Sequence, residues 1–299
     1  MKIAVTGGTG FLGRYILSEL AGLGHTCRCW RRPKSRSTGL EALDSQLEWV
    51  AGKLGSQEDA ATLVEGCDAV VHAALMRQGP EFRGGEGNLI DFVEANLVGS
   101  LQLMDTARRA SVERFVFISS CAVHEEILDD RPLDETHPLW STNHYGAHKA
   151  ALEKFVHSFG KGMDYPICAL RPTGIYGLTY PVQRSKWFSL VQSVVRGENV
   201  NCLRGGKEVH AADVARAVSL LLQADGIAGQ AYNCCDSYIS EYDVATYAKE
   251  ITGSDSVIEG KQTAPRHQIV TDKIAALGME FGGRPRLEAT IGQLVEHMR

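Results

Sequence analysis

Short runs that are apolar on both faces alternate with longer runs in which apolar residues recur every three to four positions. Residues 3–6, 25–30, 47–50, 69–73, 114–119 and 167–171 have the first pattern and are predicted strands. Residues 14–23 carry Ile16, Leu17, Leu20 and Leu23 at helical spacing, and Gly22 and Gly24 stop the run. Further helices are predicted over 57–65, with Ser56 as N-cap, over 88–109 and over 145–159. Strands buried on both faces and alternating with helices imply a parallel sheet covered on both sides, with right-handed crossovers. The expected fold is a doubly wound α/β domain.

The pattern degrades after Pro172. Residues 181–195 and 213–223 read as helices, 230–234 as a strand, and 241–251 and 287–298 as late helices. The expected division is therefore a parallel-sheet domain over 1–172 and a smaller, irregular lobe over 173–299, with about 207–235 packing back on the first domain. The glycine-rich loop 77–87 and the polar stretch 125–144 are expected to be mobile.

Gly7, Gly10 and Gly13 stand directly between the first strand and the first helix, and Gly8 adds a G-x-G-x-x-G reading of the same stretch. Glycines there permit a tight turn and close approach of a pyrophosphate to the backbone, while the helix start offers free N–H groups. This context identifies a Rossmann dinucleotide site. An acidic residue commonly ends the second strand and meets the ribose 2′-hydroxyl of NAD. Here Arg31 and Arg32 occupy that end, followed by Lys34 and Arg36, and Lys53 follows the third strand. A carboxylate would repel a 2′-phosphate and a guanidinium can hold one, so NADP(H) is expected over NAD(H).

Composition narrows the function classes. The 299 residues carry a net charge of −5, which argues against a general nucleic-acid binder. No apolar run approaches the ~18 residues that span a bilayer, and the first residues lack a signal-peptide core. The eight cysteines are dispersed without a Cys-x-x-Cys pair and read as reduced, buried hydrophobes, so a cytoplasmic location without membrane contact is expected.

Tyr145 and Lys149 lie one helical turn apart on one face. An ammonium stabilises a phenolate and lowers the tyrosine pKa, which makes the pair a candidate general acid/base. The strand before them runs into Ser119 and Ser120 at the carboxyl end of the sheet, where ligands of open α/β sheets lie. His144 and His148 have zinc-ligand spacing but no third ligand is evident, so no metal is expected. His72 reads as a core histidine, and Trp187 and Phe188 as apolar residues of the small lobe.

The chain resembles the extended short-chain dehydrogenases/reductases, the NAD-dependent epimerase/dehydratase family. The motifs carrying the resemblance are Thr6-Gly-Gly-Thr-Gly-Phe-Leu-Gly13, Val70-Val-His72-Ala-Ala74, Asn96-Leu-Val-Gly-Ser100, Phe117-Ile-Ser-Ser-Cys-Ala-Val123, Tyr145-x-x-x-Lys149, Leu170-Arg-Pro-Thr-Gly-Ile-Tyr-Gly177 and His210-Ala-Ala-Asp213-Val-Ala215. The resemblance implies Tyr145 as acid/base, Lys149 on the nicotinamide ribose, and Ser120 orienting the reacting oxygen. It implies a cofactor lined by Gly7, Thr9, Gly10, Phe11, Leu12, Gly13, Arg31, Arg32, Lys53, Leu54, Ala73, Ala74, Leu75, Ser119, Pro172 and Thr173, with Asn96 bracing the loop after the fourth strand and Asp213 structural. Met76, Cys121, His124 and Gly174 would adjoin the substrate.

The chain also departs from relatives that act on nucleotide sugars. Those usually carry an Asn where Gly174 stands and often an Arg where Gly206 stands; Arg204 and Lys207 are the nearby cations. Their Val-Tyr-Gly is Val123-His124-Glu125 here. The resulting expectation is hydride transfer at a secondary alcohol or ketone. The alternatives are a nucleotide-sugar epimerase or dehydratase with retained NAD, and a non-catalytic NADP sensor. A homodimer through the 88–109 and 145–159 helices is expected by the same resemblance.

Overall fold

A computed structural model describes residues 1–33, 35–79 and 84–298. The expectations for Lys34 and for 80–83 of the glycine-rich loop fall outside these residues. In chain order the elements begin with β1 (Lys2–Thr6), α1 (Phe11–Gly22), β2 (Thr26–Arg31), β3 (Leu47–Ala51), α2 (Gln57–Val64), β4 (Ala69–His72), α3 (Leu89–Val93), α4 (Gly99–Arg109), β5 (Arg114–Ile118), α5 (His144–Met163) and β6 (Ile167–Pro172). They continue with β7 (Gly174–Tyr176), α6 (Phe188–Val195), β8 (Val200–Cys202), β9 (Gly205–His210), α7 (Ala211–Leu221), β10 (Gln230–Cys234), β11 (Ser237–Ser240), α8 (Glu241–Thr252), β12 (Ile258–Gly260), α9 (Asp272–Ala275) and α10 (Gly283–Glu296).

The chain divides into two units. One comprises Met1–Pro172, Val214–Cys234 and Ile269–Met279; the other comprises Thr173–Asp213, Cys235–Gln268 and Glu280–Arg299. The first contains a seven-stranded sheet ordered β10-β6-β5-β4-β1-β2-β3, parallel throughout. The expected doubly wound α/β sheet is thus present. Strands β1, β4, β5 and β6 are buried almost end to end, because helices cover both faces. Phe115, Phe117 and Ala169 pack on one side with Leu103, Met104, Ala107, Leu152 and Val156. Ser56 caps α2 by accepting from Asp59 N at 3.2 Å, a contact worth about 1 kcal/mol.

The predicted 88–109 helix is not uniform. Asn88 caps α3, and residues Glu94–Val98 form a π-helical segment before α4. That segment turns Asn96 inward, for reasons given below. The stretch 125–144 is fastened rather than loose. Glu125 accepts from Thr142 N at 2.5 Å and from the Thr142 and Ser141 hydroxyls at 2.7 and 3.1 Å. Burial opposes ionisation of Glu125, but these bonds prevail and hold its pKa down at about 2. Farther along, Val270 N donates to Leu133 O at 3.0 Å.

The second unit holds a three-stranded sheet ordered β11-β9-β7 and a β12-β8 pair. Tyr176, Val191, Ile239, Val244, Leu287 and Ile291 form its core. The 181–195 helix is broken: a 3₁₀ turn spans Val182–Arg184, and Trp187 takes φ +64° before α6 begins. Strands β7, β8, β9, β11 and β12 carry no clean alternation, and periodicity missed them. All the cysteines are unbridged, and all but Cys121 are buried. No helix among the described residues is long and apolar enough to cross a membrane.

Candidate active site

Because β1 to β6 are parallel, their carboxyl ends share one edge of the sheet. Apart from Asn96, Tyr145 and Lys149, which lie on helical segments, the candidate residues of the first unit follow those ends. Residues 7–13 leave β1, Arg31 ends β2, Lys53 and Leu54 follow β3, 73–76 follow β4, 119–124 follow β5, and Pro172 ends β6.

The phosphate loop is built to a tolerance that only glycine meets. Gly7 has φ +77°, and a Cβ there would lie 2.8 Å from the carbonyl carbon of Ala73. A Cβ on Gly13 would lie 2.1 Å from Gly7 O and 2.7 Å from Gly8 Cα. Gly10 N donates to Gly7 O at 2.9 Å and closes the turn that starts α1. The opening residues Phe11 and Leu12 are half-buried and bring no acidic residue to that turn. The result is a narrow backbone cradle at a helix N-terminus, which fits a pyrophosphate. Arg14 fastens the cradle to the segment after β2, donating to Thr9 O at 3.3 Å, Thr38 O at 2.7 Å and Arg36 O at 2.9 Å. Gly13→Ala therefore has an expected cost. Alanine gains helix propensity worth about 1 kcal/mol, but backbone overlap costs about 1–3 kcal/mol. A lower melting temperature and a cofactor affinity down about tenfold, read by calorimetry, are expected.

A hydrogen-bond relay joins the loops after β1 and β4. Ala73 N and Ala74 N donate to Thr6 Oγ1 at 3.2 and 3.1 Å. With both bonds accepted, the Thr6 hydroxyl donates to His72 Nδ1 at 2.6 Å. Nε2 then carries the His72 proton and donates to Ser100 Oγ at 2.8 Å, which donates to Asn96 O at 2.5 Å. Burial drives the His72 pKa down to about 3, so the ring stays neutral. Asn96 takes Met76 N at 2.7 Å and donates to Met76 O at 2.8 Å and Phe92 O at 3.0 Å. The π segment puts that amide in register with Met76. Leu75, between these anchors, is half-buried.

Arg31, Arg32 and Lys53 are exposed at the edge beyond β2 and β3. The Arg31 guanidinium lies 5.9 Å from the Trp49 ring centroid. Leu54 precedes Gly55, whose backbone α4 approaches so closely that a Cβ on Gly99 would lie 2.5 Å from Gly55 N.

Tyr145 opens α5 beneath the Asn143 cap, which accepts from Gly146 N at 2.8 Å. Gly146 lets this turn press on the segment after β5, since a Cβ there would meet Ala122 O at 2.3 Å. That segment begins at Ser120, whose hydroxyl accepts from Ala122 N at 3.1 Å. Lys149 is buried, donates to Ile118 O at 2.7 Å and sits 4.6 Å from the Phe117 ring centroid. Burial pulls its pKa down to about 7, against the pull of Glu153. His148 is buried between Phe92 and Tyr145, at 5.0 and 5.4 Å between ring centroids, and burial lowers its pKa to about 3.

A buried ion pair behind Ser120 escaped the sequence reading. Arg171 grips Glu153 with Nε at 3.0 Å from both carboxylate oxygens and Nη2 at 2.6 Å from Oε2. Ser119 Oγ donates to Glu153 Oε1 at 2.5 Å. His124 Nδ1 donates to Pro138 O at 3.2 Å, while its Nε2 accepts from Arg171 Nη1 at 3.3 Å. Burial first, then the Arg171 charge, lowers the His124 pKa to about 4. The side chains of Ser119 and His124 thus turn into this pair and not to an open surface. Half-buried Cys121 donates from Sγ to Arg171 O at 3.0 Å. The available signal was spacing: Glu153 is one turn beyond Lys149 on the same helix face.

Thr173 and Gly174 belong to the other unit. Thr173 hydrogen-bonds the Cys235 thiol. The spaces left by Gly174 and Gly206 are filled by the Glu208 carboxylate, which pairs with Lys186. Lys207 lies on the opposite face of β9 and Arg204 is exposed, so neither stands at Gly206. Asp213 accepts from Gly282 N at 3.1 Å and faces Arg286 at 3.5 Å, within the same unit.

Comparison with known proteins agrees with this architecture. Residues 3–235 match the NAD dependent epimerase/dehydratase family. A quinoline-oxide ketoreductase of Stigmatella aurantiaca is 29% identical over 79% of this chain and 68% of its own length. A 3 beta-hydroxysteroid dehydrogenase/Delta 5-->4-isomerase of Mycobacterium tuberculosis is 30% identical over 69% of this chain, which spans about half of that relative, 54%. Among solved structures, UDP-glucose 4-epimerase of Thermotoga maritima superposes with a TM-score of 0.81 at 21% identity, covering 100% of both chains. The parallel sheet, the glycine cradle at its edge and the extent of the sequence match lead to one assignment: the chain belongs to the NAD dependent epimerase/dehydratase family of nicotinamide-dependent enzymes.

Proposed function

We propose that the chain is an oxidoreductase that moves hydride between NADP(H) and a secondary alcohol or ketone. The observation that carries this reading is Lys149, buried one turn from Tyr145 and tied to the end of β5 beside Ser120. The glycine cradle fits the cofactor pyrophosphate, and Arg31 and Arg32 fit a 2′-phosphate. The bound nicotinamide supplies or accepts the hydride. Ser120 orients the reacting oxygen, Tyr145 gives or takes its proton, and Lys149 favours the phenolate. Pro172 borders the ring. Met76 and Cys121 adjoin the substrate.

A second reading, an epimerase or dehydratase that retains NAD, draws support from the solved neighbours, which include a Thermus thermophilus UDP-glucose 4-epimerase in complex with NAD. Calorimetry separates the two. NADPH and NADH are titrated separately, and UDP- and dTDP-sugars are then added to the cofactor-bound protein. The proposed oxidoreductase prefers NADPH and binds no sugar nucleotide; retained NAD with sugar-nucleotide binding would reverse the choice. In the same assay Arg31→Asp shifts the NADPH/NADH affinity ratio about tenfold or more towards NADH, since it replaces a charge-assisted contact by repulsion. An unchanged ratio would remove Arg31 from phosphate recognition.

A homodimer is part of the proposal. Ile90, Val98 and Phe155 are 64%, 43% and 42% exposed on the helix segments named for that contact. Large apolar side chains grouped on two neighbouring helices favour a symmetric helical interface.

A further inference from the structure

A cleft of about 380 Å³ lies at the β10 edge of the seven-stranded sheet, and every residue that lines it belongs to the first unit. One wall is α5 and the other is the start of β10; His157 Nδ1 ties them by donating to Gly229 O at 3.4 Å. The Arg171–Glu153 pair forms part of the lining, and its two charges cancel there. Pro138, Leu139 and Ala231 add half-buried apolar surface. Two lysines complete the lining, Lys154 of α5 and Lys273 of α9, and Lys161 stands one turn beyond His157 beside Gly229. Lys273 is half-buried, yet it forms no ion pair among the described residues. Gln230 Oε1 takes one of its N–H donors at 2.7 Å, and the Tyr232 ring centroid lies 4.7 Å away. Glu135 is the one carboxylate of the lining besides Glu153, and it accepts instead from Asn233 N at 2.7 Å. Burial lowers the Lys273 pKa, and the attraction of Glu135 offsets that only in part.

A half-buried ammonium without a counter-charge gains most from an anion that a ligand brings to it. We propose that this cleft binds a small molecule carrying an oxyanion, a carboxylate or a phosphate monoester, on a short apolar body. Lys273 holds the oxyanion through its remaining donors, Lys154 adds attraction from α5, and the body covers Pro138, Leu139 and Ala231. The volume is at the low end of ligand pockets, which run from about 300 to 1,000 Å³. The cleft shares no residue with the glycine cradle, Ser120, Tyr145 or Lys149. In the sheet β10 stands four strand spacings from β1 and its cradle, about 19 Å. Along α5, His157 is about 18 Å beyond Tyr145. Phe155, on the side of α5 named for the dimer contact, is about 160° round the helix from His157, so the cleft wall faces away from that contact.

The test titrates benzoate, phenyl phosphate and benzyl alcohol calorimetrically into the full chain, three probes that share a phenyl ring and differ in the group attached. At least one of the two anions is expected to bind at one site per chain, about tenfold or more tighter than the alcohol. Benzoate ahead of phenyl phosphate marks the occupant as a carboxylic acid, and the reverse order marks it as a phosphate ester. Lys273→Gln is expected to weaken the bound anion about tenfold or more, because it keeps a polar side chain and removes the charge. An anion lodged in the glycine cradle would keep its affinity in that variant and lose it to added NADPH. That outcome, failure of both anions to bind, or an alcohol that binds as tightly as they do overturns the proposal. If thermal melting shows Lys273→Gln unfolded, Lys154→Gln takes its place, since Lys154 is exposed; a loss of about threefold is expected, and an unchanged affinity overturns the proposal.

Discussion

Tyr145→Phe is expected to lower turnover at least about a thousandfold while leaving NADPH affinity within about twofold. Positioned general acid/base groups contribute about 10²–10⁴ in rate, and in the proposed reaction the phenol proton is the one that moves. The free phenol is a poor base near neutrality, with a pKa near ~10. Lys149 changes that when charged. Its Nζ is held by Ile118 O at 2.7 Å, so it does not wander, and burial leaves its proton loosely bound, with a pKa of about 7. The cradle for the pyrophosphate lies on other elements, β1 and α1, which is why cofactor affinity should survive. Steady-state rates and calorimetry on one preparation decide the matter. A variant that keeps most of the wild-type rate would take the proton transfer away from Tyr145.

Glu153→Ala is expected to cost the folded state about 3–5 kcal/mol, the range for removing one partner of a buried ion pair. Arg171 and Glu153 are 3% and 4% exposed, and their contact is two-pronged. Loss of the carboxylate strands a guanidinium in the interior and leaves Ser119 without its acceptor. Replacing both residues by apolar ones, Glu153→Leu with Arg171→Met, should recover much of the loss, because no uncompensated charge remains. Denaturant unfolding of the two single variants and the double variant measures the coupling. Single variants within about 1 kcal/mol of wild type would show that water reaches the pair. Catalysis should suffer with stability, since Ser119 adjoins Ser120 and Arg171 adjoins Pro172 at the sheet edge.

The two predictions differ in how readily the sequence disclosed their residues. Tyr145 and Lys149 are one turn apart, and helix geometry alone brings them to one face. Glu153 and Arg171 are 18 positions apart, and Ser119 lies 34 before Glu153. Nothing local pairs them; they meet because β5 and β6 are neighbours in the sheet and α5 packs against it. The same holds for Lys186 and Glu208, 22 positions apart, whose notch depends on β7 lying beside β9. Glycine at 174 and 206 reads in the sequence only as a missing side chain, and the fold shows what fills it.

By itself the sequence determined the strand–helix alternation of the first unit, the glycine cradle between β1 and α1, and the Tyr145/Lys149 face of α5. Each of these depends on contacts within about one turn or on a run apolar on both faces, and short-range periodicity records such contacts directly. Tertiary structure alone decided the His72 relay, the π-helical turn that aims Asn96 at Met76, the short strands of the second unit, the buried Arg171/Glu153 pair and the contact of half-exposed Lys186 with Glu208. These depend on polar atoms that find partners far along the chain, and on backbone approaches set by missing side chains. A polar residue bound for burial has the same one-letter identity as one bound for solvent, and only the packing of distant segments tells them apart.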